Sequence, residues 1–290
     1  MIRDIINIIY EYTIGFNIED LEDKMDLNKM DEDRKIDITH RIIEVGYIYG
    51  IKKYYKSLVF NEKCIDTAAR YGYTEIILFL HNNKIEGFTK YTLDIAAYYG
   101  NLEIVKFLHY NRKEGCTFKA MDNAACCGHL DIIKFLHKNR KEGSSTNAMN
   151  LASENGFFNV VKFLHENRKE GCTKSAMNKA ALNGYLNIVK FLHKNRKEGC
   201  TIEAMNNAAC NGFLDVVKFL HKNRKEGCTT KAFDTSASNG HLDVVKFLHQ
   251  NRTEGFTYSA FILAAQNGHT EIVDWLYNNV ANKYIGKAFF

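Results

Sequence analysis

Histidine recurs at a fixed interval: His81, His109, His137, His165, His193, His221 and His249 stand 28 residues apart. Imidazole is a metal ligand and a proton carrier, so zinc binding and acid–base work are the first chemistries to weigh. A structural zinc needs about four ligands within roughly 2 Å of one point. Equivalent places on stacked helices lie about 10 Å apart, so one such ladder cannot surround an ion. Hydrogen bonding between neighbouring repeats, near the end of a helix, is expected instead. Cys116, Cys172, Cys200 and Cys228 share a second recurrent place, which Phe88, Ser144 and Phe256 occupy elsewhere. A place that accepts phenylalanine is packing space, so buried reduced thiols are expected there. Cys126-Cys127-Gly128-His129 has ligand residue types but no matching second half nearby. Neither a metal nor a cofactor is expected.

A third ladder, Arg112-Lys113-Glu114, returns at 140, 168, 196 and 224. A basic stripe is the electrostatic footprint of a nucleic-acid binder. Here Glu114, Glu142, Glu170, Glu198 and Glu226 interrupt it each time. Neighbouring units are expected to neutralise one another along a solvated, salt-bridged edge. There is no phosphate-cradling glycine loop, no nucleophile elbow and no His-Glu-x-x-His, so no enzyme is expected.

The elements that carry these ladders share their period. Gly72, Gly100, Gly128, Gly156, Gly184, Gly212, Gly240 and Gly268 also stand 28 apart. A fixed period in this range signals a stacked array in which one supersecondary unit buries its face against its neighbours. In one unit Thr201 is a helix N-cap and Glu203 suits the positive end of the helix dipole. Helix A then runs from Ile202 to Asn211, with Ala204, Met205, Ala208 and Ala209 on one stripe. Asn211-Gly212 stops it, because glycine supplies the left-handed turn. Helix B is predicted over Phe213 to Lys225, with Leu214, Val216, Val217, Phe219 and Leu220 on its apolar side. Arg224 and Lys225 are placed in its last turn and Gly227 at its end. Asp215 and Lys218 are spaced to pair on its outside. Nothing alternates with period two, so no strand is expected.

The chain has 290 residues, 46% hydrophobic and 25% charged, and no proline. That composition is ordinary for a soluble chain and suits helices. Residues 1–37 hold 5 basic and 11 acidic side chains, leaving +11 of the net +5 to the remainder. Residues 2–12 read as one amphipathic helix, and 17–37 as an acidic linker. Residues 2–45 also faintly resemble an F-box-like helix cluster, although the leading Leu-Pro of that motif is missing. Residues 38–61 read as a degenerate capping repeat, helix–Gly50–helix, 62–280 as eight regular repeats, and 281–290 as a tail. The apolar start is short and interrupted by Asp4 and Glu11, unlike a signal peptide or a membrane span. A reducing cytoplasmic setting is therefore expected, with the nucleus as the alternative.

The segment Ser238-Asn239-Gly240-His241-Leu242-Asp243-Val244-Val245-Lys246-Phe247-Leu248 resembles the ankyrin repeat. The resemblance covers roughly residues 60–280. Two departures stand out. The usual repeat has about 33 residues, and its Thr-Pro-Leu-His opening is replaced here, for example by Glu203-Ala204-Met205-Asn206. The missing residues fall where ankyrin repeats carry their β-hairpin finger. The resemblance therefore implies an all-α fold, an α-solenoid of helix-turn-helix repeats with fingers absent or reduced. The Phe-Leu-His-x-Asn-Arg-x-Glu-Gly-Cys-Thr style is similar to arrays found in amoebae and their large DNA viruses, which would place it in a host cytoplasm. The resemblance also implies a protein-binding scaffold; a monomer with no membrane partner is expected, and nucleic-acid binding through the Arg-Lys ladder is the least favoured reading. A ubiquitin-ligase adaptor, with ligase components as partners, is the alternative.

Frame positions repeat in an array, whereas positions that read a partner need not. Counted from the cap, offsets +2, +6 and +9 of helix A lie on one stripe away from the alanines. Offset +6 reads Ile95, Asn123, Leu151, Lys179, Asn207, Thr235, Leu263, and +9 reads Tyr98, Cys126, Glu154, Leu182, Cys210, Ser238, Gln266. Offset +12 reads Asn101, His129, Phe157, Tyr185, Phe213, His241, His269. Exposed aromatics are favoured anchors. Tyr98, Tyr99, Phe157, Leu182, Tyr185, Phe213 and Gln266 are the expected partner-binding residues, on a concave helix-A face.

Overall fold

The computed structural model describes residues 30–281. The amphipathic helix read at 2–12, most of the acidic linker, the start of the F-box-like stretch and nearly all of the tail lie outside these residues. The described residues divide into two compact bodies, one ending at Ser144 and one beginning at Ser145. Each is a run of helix pairs, and no strand occurs among the described residues.

The first body contains α1 (Glu32–Glu44), α2 (Ile48–Tyr54), α3 (Glu62–Tyr71), α4 (Thr74–Asn82), α5 (Lys90–Tyr98), α6 (Leu102–Asn111), α7 (Lys119–Cys126) and α8 (Leu130–Asn139). The second contains α9 (Thr146–Glu154), α10 (Phe158–Asn167), α11 (Lys174–Leu182), α12 (Leu186–Asn195), α13 (Ile202–Cys210), α14 (Leu214–Asn223), α15 (Thr230–Ser238), α16 (Leu242–Asn251), α17 (Tyr258–Gln266) and α18 (Thr270–Leu276), then one π turn, Tyr277–Ala281. Within each body every first helix packs on the next first helix, and every second helix on the next second helix. This is the stacking of an α-solenoid.

One unit shows why. Thr201 has an extended backbone and its hydroxyl accepts from the Glu203 N–H at 3.3 Å, capping α13. Ala204, Met205, Ala208 and Ala209 are buried, as are Val216, Val217 and Leu220 of α14. The Phe213 N–H donates to the Ala208 carbonyl at 2.9 Å, and Gly212 adopts φ +73° between them. That is a Schellman-type ending: the last carbonyls of α13 are satisfied by a chain that has already turned.

Three local expectations need correction. Helix B stops at Asn223, not Lys225. The Asn223 amide donates back to the Phe219 carbonyl at 2.8 Å, and Arg224 is extended, at φ −126° and ψ 152°. Arg224 therefore belongs to the loop. Asp215 and Lys218 do not pair; of the Lys three residues beyond an acid in the helix-B positions, Lys106 does so with Glu103 at 2.8 Å. The hinge of the first pair is Gly46 (φ +70°), whereas Gly50 lies inside α2, where the Tyr47 ring occupies the space of a side chain. Helix α1 begins at Glu32, with Asp31 accepting from the Arg34 N–H at 2.8 Å. Glu32 and Asp33 thus serve the dipole of its first turn.

Candidate partner-binding surface

Most residues with chemical potential are used between repeats. The rings of His81, His109, His165, His193, His221 and His249 each stand edge-on to an aromatic ring of the following unit. His81 meets Phe107 at 5.2 Å, His193 meets Phe219 at 5.5 Å, and His249 meets Trp275 at 5.2 Å, all near 90°. Such T-shaped pairs set a ring edge against a ring face. The expected hydrogen bond between units is made by His109 and His221, and the ring contact is the commoner use. Nδ1 of His81, His165 and His193 is buried without a hydrogen bond, whereas His109 and His221 each have the Nη1 of an arginine of the following unit at 3.4 Å. No group of three or more potential metal ligands occurs among the described residues.

The Arg-Lys-Glu ladder is also resolved differently from its reading. Each arginine pairs with the glutamate two residues on in its own loop: Arg196 with Glu198, Arg224 with Glu226, Arg252 with Glu254. The fork then reaches the preceding unit, where Glu226 Oε1 accepts from the Cys200 N–H at 3.4 Å. Cys116, Cys172 and Cys200 are buried free thiols, whereas Cys228, expected to be buried with them, is half-buried. Burial, with the adjacent glutamate, pushes Cys116 up to about 12 and Cys172 and Cys200 to about 11. These thiols are poor nucleophiles at neutral pH.

The forks make stability depend on pH. Hydrogen bonds from Arg252 hold Glu254 at about 2, against the upward pull of burial. At Glu198 and Glu226 burial is the largest influence and raises the value, yet the arginine and backbone N–H groups together bring it to about 2. An unfolded glutamate titrates near ~4.3. A carboxyl lowered in the folded state stabilises above that value, and its contribution disappears as pH falls toward the folded value. We expect the thermal midpoint to drop between roughly pH 4.5 and 2. A variant carrying Glu198→Gln, Glu226→Gln and Glu254→Gln should melt lower at pH 7 and lose less on acidification. Parallel melting curves across that range would put the acid sensitivity elsewhere.

A fourth ladder escaped the sequence reading. The residue five after each cap is Asp or Asn in seven consecutive units, from Asp66 to Asp234. Asp94, Asn150, Asn178, Asn206 and Asp234 bind the cap of the next unit, whereas Asp66 accepts from the Thr92 hydroxyl, three residues past that cap. Asn150 accepts from the Thr173 N–H at 3.0 Å and donates to the Thr173 hydroxyl at 3.1 Å. Asp94 accepts from the Thr117 N–H at 2.9 Å and the Thr117 hydroxyl at 2.6 Å. Its restriction to two side chains was the available signal.

The expected binding residues fall into two kinds. Tyr98 and Tyr99 are exposed and in ring contact at 4.9 Å, and the Arg70 guanidinium lies 5.5 Å from the Tyr99 ring. The neighbouring Cys127 and Cys126 thiols hold the Tyr98 phenol above its ordinary value. Gln266 is exposed, and Leu182 is half-buried, its carbonyl accepting from the Asn211 amide at 2.7 Å. Phe157, Tyr185 and Phe213 are half-buried. Two of these rings close the turn of the preceding unit: a Cβ on Gly156 would meet the Tyr185 ring at 2.6 Å, and one on Gly184 the Phe213 ring at 2.6 Å. Offset +12 is thus a packing position with one open flank. Offset +6 also makes contacts between units, as Lys179 pairs with Glu154 at 2.7 Å. Tyr98 and Tyr99 lie in the first body and the other five residues in the second.

No helix among the described residues is long and apolar enough to cross a membrane. No curated protein matches the sequence. Two family models do match it. One, for ankyrin repeats in three copies, covers residues 121–206 and 205–286, and one for ankyrin repeats in many copies covers 65–109 and 93–137. Together they span the same helix pairs, left-handed turn glycines and capped first helices that the structure repeats. The chain belongs to the ankyrin repeat family.

Proposed function

We propose that this chain is a non-catalytic scaffold that captures a partner protein through the outward stripe of its first helices. Ankyrin repeats are protein–protein interaction modules, and the observation that supports this stripe is its variability beside a constant frame. The buried alanines, the Asp/Asn ladder and the turn glycine recur from unit to unit. Offset +9 runs through Tyr98, Cys126, Glu154, Leu182, Cys210, Ser238 and Gln266, each half-buried or exposed. Packing does not require that diversity. Exposed Tyr98 and Tyr99 supply large, stiff contact area of the kind that anchors interfaces.

Two variants test it. Tyr98→Ala with Tyr99→Ala removes exposed rings, and Leu182→Ser with Gln266→Ala changes the stripe of the second body. Both should leave the melting midpoint within a few degrees. In quantitative capture from the native cell, the proteins held by the wild-type chain should be depleted about tenfold or more, the weight of one anchor residue of ~1.4 kcal/mol or above. Phe157, Tyr185 and Phe213 are unsuitable as first probes because they also pack. A capture profile unchanged by both variants removes this stripe as the interface.

A further inference from the structure

The Arg–Glu forks have a consequence for the lysines beside them. Each fork is neutral, so the charge of the helix-B side is set by its lysines and the few acids on the second helices. In the second body this side carries Lys190 and Lys194 on α12, Lys197 in its loop, Lys218 and Lys222 on α14, and Lys225 in its loop. All six are exposed. None has a carboxylate partner among the described residues. Across these two units the one acid that is not committed to a fork on this side is Asp215. Six like charges thus stand on two adjacent units with almost nothing to offset them, and Lys169 and Lys246 extend the series to the units on either side, whereas Lys162 is held by Glu166 at 3.9 Å.

We infer that this lysine ladder is a second docking surface, for an extended acidic polypeptide. Three observations select that occupant over a nucleic acid. The guanidinium planes that would fork a phosphate are already held by glutamates. None of the exposed large apolar side chains of the second body, Ile202, Tyr258, Ile262, Leu263 and Tyr277, lies on α12 or α14, so bases have no stacking platform. Lysine meets a carboxylate as a point charge and needs no planar match.

Spacing refines the partner. Equivalent lysines on packed helices are about 10 Å apart. An extended peptide advances about 3.3 Å per residue, so an acid at every third position meets one unit after another. The surface therefore fits a segment patterned Glu-x-x-Glu-x-x-Glu better than a solid acidic run. This inference does not rest on the helix-A stripe, since no residue is shared between them.

The test is fluorescence anisotropy with the full chain and a fluorescein-labelled peptide of repeating Glu-Ser-Ser. Binding should be clear at about 20 mM salt and weaken steeply by about 300 mM, where the screening length falls below the spacing of the charges. Three substitutions on the ladder, Lys190→Gln, Lys194→Gln and Lys222→Gln, should weaken binding roughly tenfold, about twofold per exposed charge. An equal charge change elsewhere, Lys119→Gln, Lys174→Gln and Lys231→Gln, should alter it less than about twofold. A peptide of the same composition with its glutamates in one block should bind more weakly. The Tyr98→Ala, Tyr99→Ala variant should bind the peptide normally, which separates this surface from the first. Equal loss in the two lysine variants would reduce the effect to net charge and overturn the proposal. So would tighter binding of a single-stranded oligouridylate of matched length, or equal binding of the block peptide.

Discussion

Gly184→Ala lowers the unfolding free energy by about 3 kcal/mol, although it adds a single methyl group on a turn. Two separate costs combine. Gly184 sits at φ +74°, a left-handed conformation that costs a residue with a Cβ roughly 1–2 kcal/mol. The new Cβ would also stand 2.6 Å from Cε1 and 2.7 Å from Cδ1 of Phe213, so the ring of the next unit must shift; relieving such overpacking typically costs ~1–3 kcal/mol. A double-mutant cycle separates the two. Phe213→Ala removes the ring, so in that background Gly184→Ala should retain the backbone cost and lose the steric one. The measurement is urea unfolding of the four proteins, with midpoints and slopes compared. Strictly additive effects would mean that ring and glycine do not constrain one another.

The contrast between that pair and the rest of the repeat explains what sequence alone could reveal. The turn glycine, the Thr201 cap and the alanine stripe are local or strictly periodic, and a single unit displays them. The absence of period-two alternation likewise foretold helices without strands, and the missing fingers were implied by the short repeat beside the ankyrin pattern. Contacts between units were harder to read. Phe213 reaches Gly184 across 29 residues, and Asn206 reaches Thr229 across 23. Neither distance is a helical spacing, so a pattern search on one unit cannot pair them. Offset +12 looked free because its residues vary between Asn, His, Phe and Tyr. Packing on a bare glycine explains that tolerance: any flat or short polar group that covers the turn will serve. Basic residues suit a last turn, but the helix ends at Asn223 and Arg224 pairs with Glu226 in the loop, a local arrangement that the dipole rule does not foresee. At the candidate surface, Tyr98 stands exposed as its +9 offset implied, and Tyr99 beside it is exposed too. For Phe157, Tyr185 and Phe213 the helical wheel could not show the neighbouring unit that half covers them.

The second large effect belongs to the ladder between caps. Asn206 is 2% exposed and joins α13 to the start of α15. Its Oδ1 accepts from the Thr229 N–H at 3.0 Å, and its Nδ2 donates to the Thr229 hydroxyl at 3.1 Å. That hydroxyl in turn accepts from the Lys231 N–H at 3.3 Å as the cap of α15. Asn206→Ala therefore leaves a half-buried N–H without a partner and frees the capping hydroxyl to turn away. Each of these is worth about 1 kcal/mol or more, and we expect a loss of roughly 2–3 kcal/mol in urea unfolding. Asn206→Asp should cost less, because Asp94 and Asp234 hold the equivalent caps through both carboxylate oxygens. It should also make the cost depend on pH. Burial raises the Asp94 carboxyl above its ordinary value, more than its bonds to Thr117 lower it. A buried aspartate raised in this way favours folding below its unfolded value of about 3.9, and that advantage is lost as pH rises through the folded value. Relative to wild type, Asn206→Asp should thus be least destabilised near pH 4 and more so at pH 7, whereas Asn206→Ala should show no such slope. If Asn206→Ala instead stayed within about 0.5 kcal/mol of wild type, as a surface change does, the ladder would set the register of the repeats without contributing to their stability.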